Sequence, residues 1–279
     1  MFKKIKPFKD LLWAAGIGIT LLALLVGLVA ASFTSYHGDR TRPVMDLRSG
    51  QAEKQAAKDE SKSGGASSDG IQADGTLHIL AKTSKAKKSY LDGLTILCDS
   101  SMISLRGSEL CGAAIWSTES GTLSMNAIAD WMVRFPGDGS LVSPSNAVLI
   151  EKPEILILAV GNDSSAGMSK KDFISSYSEL IEGLVKANPD AKIVCLSLCS
   201  VTSVYVGSDS MTPETAGKIN GWIREVCMQT GAYYGDLSDT LYEDGCLRDD
   251  YADGSGRALN TAGLEAVLDY LRTHNVNKQ

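Results

Sequence analysis

Leu94-Thr95-Ile96-Leu97-Cys98-Asp99-Ser100-Ser101 begins as an almost unbroken apolar run and stops abruptly on small polar residues. Its length is that of a strand, and the absence of in-out alternation suits a strand covered on both faces. Four further short runs read the same way, at residues 113–116, 154–160, 192–198 and 232–237. Longer amphipathic stretches separate them. Residues 172–188 place Phe173, Tyr177, Leu180, Ile181, Leu184 and Val185 on one helical stripe, with Ser169 as the cap and Pro189 as the stop. A second helix is expected from Pro213 to Thr230, closed by Gly231, and a last one after Asn260, carrying Leu264, Val267, Leu268 and Leu271 and ending near His274. Short apolar strands alternating with helices specify an α/β protein, a parallel sheet covered by helices on both sides.

The whole chain of 279 residues is 44% hydrophobic and 22% charged, ordinary values for a folded protein. Its formal charge of −6, with no long basic run beyond the N-terminus, excludes a nucleic-acid partner. Six cysteines without a Cys-x-x-Cys pair, and no His-x-x-x-His pair, leave no metal site, and no cofactor is expected. Cys195 and Cys199, four apart in an expected strand, should share a face and be buried. Trp116, Trp131 and Trp222 could line a sugar-binding cleft, but each lies in an apolar run where core packing explains it at least as well.

Residues 11–33 contain no charge and are long enough to cross a bilayer. Lys3, Lys4, Lys6 and Lys9 precede them, which places residues 1–10 in the cytoplasm and the rest outside. A cleaved signal peptide has the same charge layout, but this apolar run exceeds a signal core, so a single-pass membrane anchor is the reading adopted. Residues 34–75, above all Ser49 to Gly75, are too polar to bury a core and read as a flexible stalk for a domain over residues 76–279.

In open parallel sheets the ligand site lies beyond the carboxyl ends of the strands. Three such places carry chemistry: Cys98-Asp99-Ser100-Ser101, Val160-Gly161-Asn162-Asp163, and Asp253-Gly254-Ser255-Gly256-Arg257-Ala258-Leu259-Asn260 before the last helix. In this order they resemble the SGNH, or GDSL-type, hydrolase family, from about Leu94 to His274. The resemblance implies a three-layer α/β/α sandwich with a flavodoxin-like parallel sheet. It also makes Ser100 the nucleophile, Asn162 the side-chain oxyanion donor, Gly121 the backbone donor, with Gly112 as a weaker alternative, and Asp253 the orienting acid. Cys98 stands where the family has glycine, and the Gly-x-Asn-Asp block is one residue short.

The last block departs further. The family's Asp-x-x-His has no histidine here: counting from Asp253 reaches Gly256, and counting back from Leu259-Asn260 reaches Ala258. A serine hydroxyl needs a base to take its proton, and the leaving group needs that proton back. His37, His78 and His274 all fall outside the blocks. Two functions follow from the resemblance. One is an ester hydrolase, an acyl esterase or deacetylase acting outside the cell on an O-acylated glycan or similar ester. The other is a catalytically inactive relative that keeps the cleft as a binding or scaffolding module.

Overall fold

The computed structural model describes residues 74–135 and 138–279. The expected cytoplasmic tail, membrane span and stalk lie outside the described residues, apart from Asp74 and Gly75. Among the described residues no helix is long and apolar enough to cross a membrane.

Among the described residues ten strands occur in chain order: β1 His78–Ile79, β2 Leu94–Cys98, β3 Ala114–Trp116, β4 Val133–Arg134, β5 Leu141–Val142, β6 Ile155–Ala159, β7 Lys192–Leu196, β8 Tyr233–Gly235, β9 Tyr242–Glu243 and β10 Cys246–Leu247. Six of them form one sheet in the order β1-β8-β7-β6-β2-β3. Every neighbouring pair in it is parallel. The remaining four make two short antiparallel pairs. All five apolar runs are strands of the main sheet. Its sixth, β1, has only two residues and carries no periodicity to be read.

The helices are α1 Pro144–Glu151, α2 Lys170–Ala187, α3 Pro213–Thr230, α4 Ser238–Leu241 and α5 Thr261–Thr273. The caps follow from side-chain chemistry: Ser169 accepts from the Asp172 amide, and Asn260 from the Gly263 amide. Gly231 ends α3 in the left-handed region at φ 77°, where glycine has no Cβ to strain. The eight-residue α1 carries no amphipathic stripe in its sequence, because its Leu149 and Ile150 face solvent.

Alternate residues of the strands feed two cores. Leu97, Leu156, Leu158, Ile193 and Cys195 pack with Phe173 and Tyr177 of α2 and with Ile219 and Ile223 of α3. Ile96, Cys98, Ile155, Ile157 and Val194 pack with Leu264, Val267 and Leu271 of α5. The result is the three-layer α/β/α sandwich. Trp116 is fully buried, Trp131 is buried too, and Trp222 packs on Phe173 with ring centroids 5.5 Å apart, so all three belong to packing. Contrary to the expectation from their spacing, Cys195 and Cys199 do not share a face. Strand β7 ends at Leu196, the chain then leaves the pleat, and the two thiols lie in opposite cores.

Candidate active site

Because the sheet is parallel, the residues after β2, β6 and β7 leave by the same edge. Cys98 pairs with Ala159, so Asp99-Ser100 and Gly161-Asn162-Asp163 emerge side by side. Ser100 is partly exposed at this edge, whereas Asp99, Ser101, Asn162 and Asp163 are buried.

Asp99 organises the floor. Its Oδ1 accepts from the Ser101 amide at 3.0 Å and hydroxyl at 2.6 Å, and its Oδ2 from the Asn162 amide at 2.7 Å. Three bonds hold the carboxylate, but complete burial, with the neighbouring Asp163 charge, pushes its pKa up to about 6. The folded protein therefore binds this proton more tightly than the unfolded chain, whose value is near 3.8. Stability from this group is complete below pH 4 and is lost as pH rises through 6. Between pH 7 and pH 5 the domain should gain about 1 kcal/mol, a few degrees in Tm. Asp250, which Arg248 holds below the usual carboxylate range, acts oppositely but only below about pH 4. Calorimetric melts across pH 5 to 7 check this, and a Tm that falls on acidification within that window contradicts it.

Ser100 is bonded to Asp163. Its hydroxyl donates to Asp163 Oδ1 at 2.5 Å, and its amide to Oδ2 at 3.3 Å. The Leu123 amide, from the loop after β3, reaches the same Oδ2 at 2.8 Å. Arg257 closes the group. Its Nη2 donates to the Asn162 carbonyl at 2.6 Å and lies 3.4 Å from Asp163 Oδ1, while its Nη1 pairs with Asp209. Burial works against the guanidinium charge, but Asp209, Tyr205 and Asp163 outweigh it and keep its pKa above the ordinary arginine value. Asp209 is in turn fixed by the Tyr205 hydroxyl and the Met211 amide, each at 3.2 Å.

Three of the expected site residues stand elsewhere than expected. The Asn162 side chain points inward, its Nδ2 donating to Ser101 Oγ at 3.0 Å while its Oδ1 is buried without a partner. It therefore does not face Ser100 as an oxyanion donor. The Gly121 amide is spent on the Thr118 carbonyl at 3.2 Å, and that of Gly112 on Asp92 at 3.0 Å. Gly121 is glycine for a packing reason, since φ is +81° and a Cβ would stand 2.6 Å from Ile103. Asp253 is exposed and closes its own loop, accepting from the Ser255 amide at 3.0 Å and hydroxyl at 2.5 Å and from the Ala258 amide at 3.3 Å. It orients nothing at Ser100.

Asp163, Arg257, Asp209 and the Leu123 amide are the groups that sequence reasoning missed. For Asp163 a signal existed: counting the family's Gly-x-Asn from Gly161 arrives at residue 163, whereas matching the letters Asn-Asp selects residue 162. Arg257 lies between the two positions counted for the missing histidine. Histidine does not replace it from elsewhere among the described residues. His274 stacks on Tyr270 with centroids 4.0 Å apart at the far end of α5, and His78 lies 3.7 Å from the exposed Asp74. Among the described residues no group of His, Cys, Asp or Glu is placed to hold a metal ion.

No curated protein matches the chain. Solved structures of similar fold include a candidate platelet activating factor from Streptococcus pneumonia, at 15% identity and a TM-score of 0.44 over 66% of this chain and 87% of that one. A family 3 carbohydrate esterase of Clostridium thermocellum has 13% identity and a TM-score of 0.44 over 66% and 95%. One from Talaromyces cellulolyticus has 13% and 0.41 over 64% and 94%. At such identities none of them speaks to chemistry. The model of the GDSL-like lipase/acylhydrolase family matches residues 118–273, more than half of the chain though beginning beyond Ser100. With that match, and with its parallel sheet and the order of its blocks, the chain belongs to the GDSL-like lipase/acylhydrolase family.

Proposed function

We propose that this chain is an ester-binding member of its family, held outside the cell membrane by residues 11–33, in which the sheet edge at Ser100 recognises O-acylated glycans and efficient hydrolysis is shut off. One observation carries the reading. The Ser100 hydroxyl and the amides of Ser100 and Leu123, the groups an acyl transfer would use as nucleophile and oxyanion donors, are all directed at the Asp163 carboxylate. The negative charge of that carboxylate repels the oxyanion that ester attack creates. The glycan as ligand and the extracellular placement rest on the family resemblance and on the N-terminal sequence.

A second reading, a slow acylhydrolase with Asp163 as base, is favoured by the 2.5 Å bond from Ser100 Oγ and the partial exposure of Ser100. In that scheme Asp163 takes the hydroxyl proton and returns it to the leaving alkoxide. Treating the purified chain with a fluorophosphonate probe and with p-nitrophenyl acetate separates the two. The first reading expects labelling and turnover no higher than in Ser100→Ala, with binding of acetylated oligosaccharides retained. Labelling of most molecules, abolished in Ser100→Ala, would establish the hydrolase.

A further inference from the structure

Four donors from three separate segments converge on one carboxylate. Oδ2 of Asp163 takes the Leu123 amide at 2.8 Å and the Ser100 amide at 3.3 Å; Oδ1 takes the Ser100 hydroxyl at 2.5 Å and faces Arg257 at 3.4 Å. Backbone amides, a hydroxyl and a guanidinium aimed at one anion are what a protein builds to bind a carboxylate. The occupant is held there against resistance. Asp99 is buried nearby and shares its sign, and Asp209 adds a third carboxylate to a group whose one cation is Arg257. The chain on either side of Asp163 is also confined, with Gly161 at φ +124° and Ser164, a non-glycine residue, in the left-handed region at φ +63°.

We propose that the cradle formed by the Ser100 and Leu123 amides, the Ser100 hydroxyl and Arg257 is a carboxylate-binding site, which the chain fills with its own Asp163. A free carboxylate, such as that of the acid released from an ester, enters when Asp163 is absent from the seat. This deepens the reading above, since a filled seat is what keeps an ester carbonyl from the donors. Asp209 acts through Arg257 as a positioning residue.

Sodium acetate is the probe, sodium chloride at equal ionic strength the control, and the full chain in detergent the sample. Acetate is expected to raise the Tm of Asp163→Ala saturably, by about 4 °C at ten times its dissociation constant. Wild type should show no difference between the two salts. Adding Arg257→Gln to Asp163→Ala should weaken acetate about tenfold, the loss of one charge-assisted contact. Equal effects of acetate and chloride on Asp163→Ala, or equal acetate effects on it and on wild type, overturn the proposal. If Asp163→Ala lacks a cooperative melt, Asp163→Ser opens the same space; if both lack one, acetate should restore it, and no restoration also overturns the proposal. Ester turnover by wild type would sink the non-hydrolytic reading and leave the acetate result standing.

Discussion

Arg257→His combined with Asp163→Asn is expected to raise kcat/KM for p-nitrophenyl acetate at neutral pH about a hundredfold over wild type. Position 257 is where the last loop reaches the reacting group, since the Arg257 guanidinium already lies 3.4 Å from the oxygen that takes the Ser100 hydroxyl. An imidazole there supplies a base whose pKa suits neutral pH, an effect of roughly 100- to 10,000-fold when well placed. Asp163→Asn replaces a repelling carboxylate by an amide that can donate to an oxyanion, by itself about 100-fold where geometry is good. The combined expectation is set lower because neither group has been placed for catalysis. Asp209, relieved of Arg257, remains on that side to orient the ring. Gly256→His should not substitute, because φ is +74° and a Cβ would stand 2.6 Å from the Thr202 hydroxyl. Nor should Ala258→His, since residue 258 is tied through its amide and carbonyl to Asp253 on the exposed side of the loop. Steady-state kinetics and fluorophosphonate labelling, each with Ser100→Ala as control, decide it. A folded double variant no faster than wild type would mean that Ser100 cannot be reached by an ester at all.

Much of this could be read from residues alone because it depends on local rules. The apolar runs that became the central strands β2, β6 and β7 are buried almost throughout, that of the edge strand β3 only in part, and the caps at Ser169, Asn260 and Gly231 depend on a few adjacent residues. Position 100 at the sheet edge follows from where β2 runs out of apolar residues. What could not be read depends on direction rather than order. Asn162 and Asp163 are neighbours in the same block, and which of them faces Ser100 is decided by the turn that Gly161 makes at φ +124°. Asp253 and Arg257 lie in one loop, and hydrogen bonds within that loop turn the first outward while Arg257 reaches in. Asp209 has no block to announce it. It meets Arg257 from a loop 48 positions away in sequence, a contact that only the packed edge of the sheet creates.

Arg257→Leu is expected to destabilise the domain by about 3 kcal/mol, lowering Tm by roughly 6 to 12 °C. The arginine is 21% exposed and sits between Asp163 at 5% and Asp209 at 22%, with fully buried Asp99 behind. Removing the cation while retaining the carboxylates leaves buried negative charge without compensation, and that cost exceeds whatever the pairs contribute together. Arg248→Leu provides the contrast. Its partner Asp250 is 61% exposed, water screens the pair, and the melt should hardly move. If uncompensated charge is the cause, then Asp163→Asn in the Arg257→Leu background should recover much of the loss, though Asp163→Asn alone, which weakens the bonds from Ser100 and Leu123, is expected to destabilise. Acid should help the variant for the same reason, because protonating a carboxyl removes uncompensated charge. The gap between Arg257→Leu and wild type should therefore narrow as pH falls from 7 toward 5. A constant gap, with additive single and double variants, would instead assign Arg257 to packing by its aliphatic stem and leave Asp163 in its seat without help from the guanidinium.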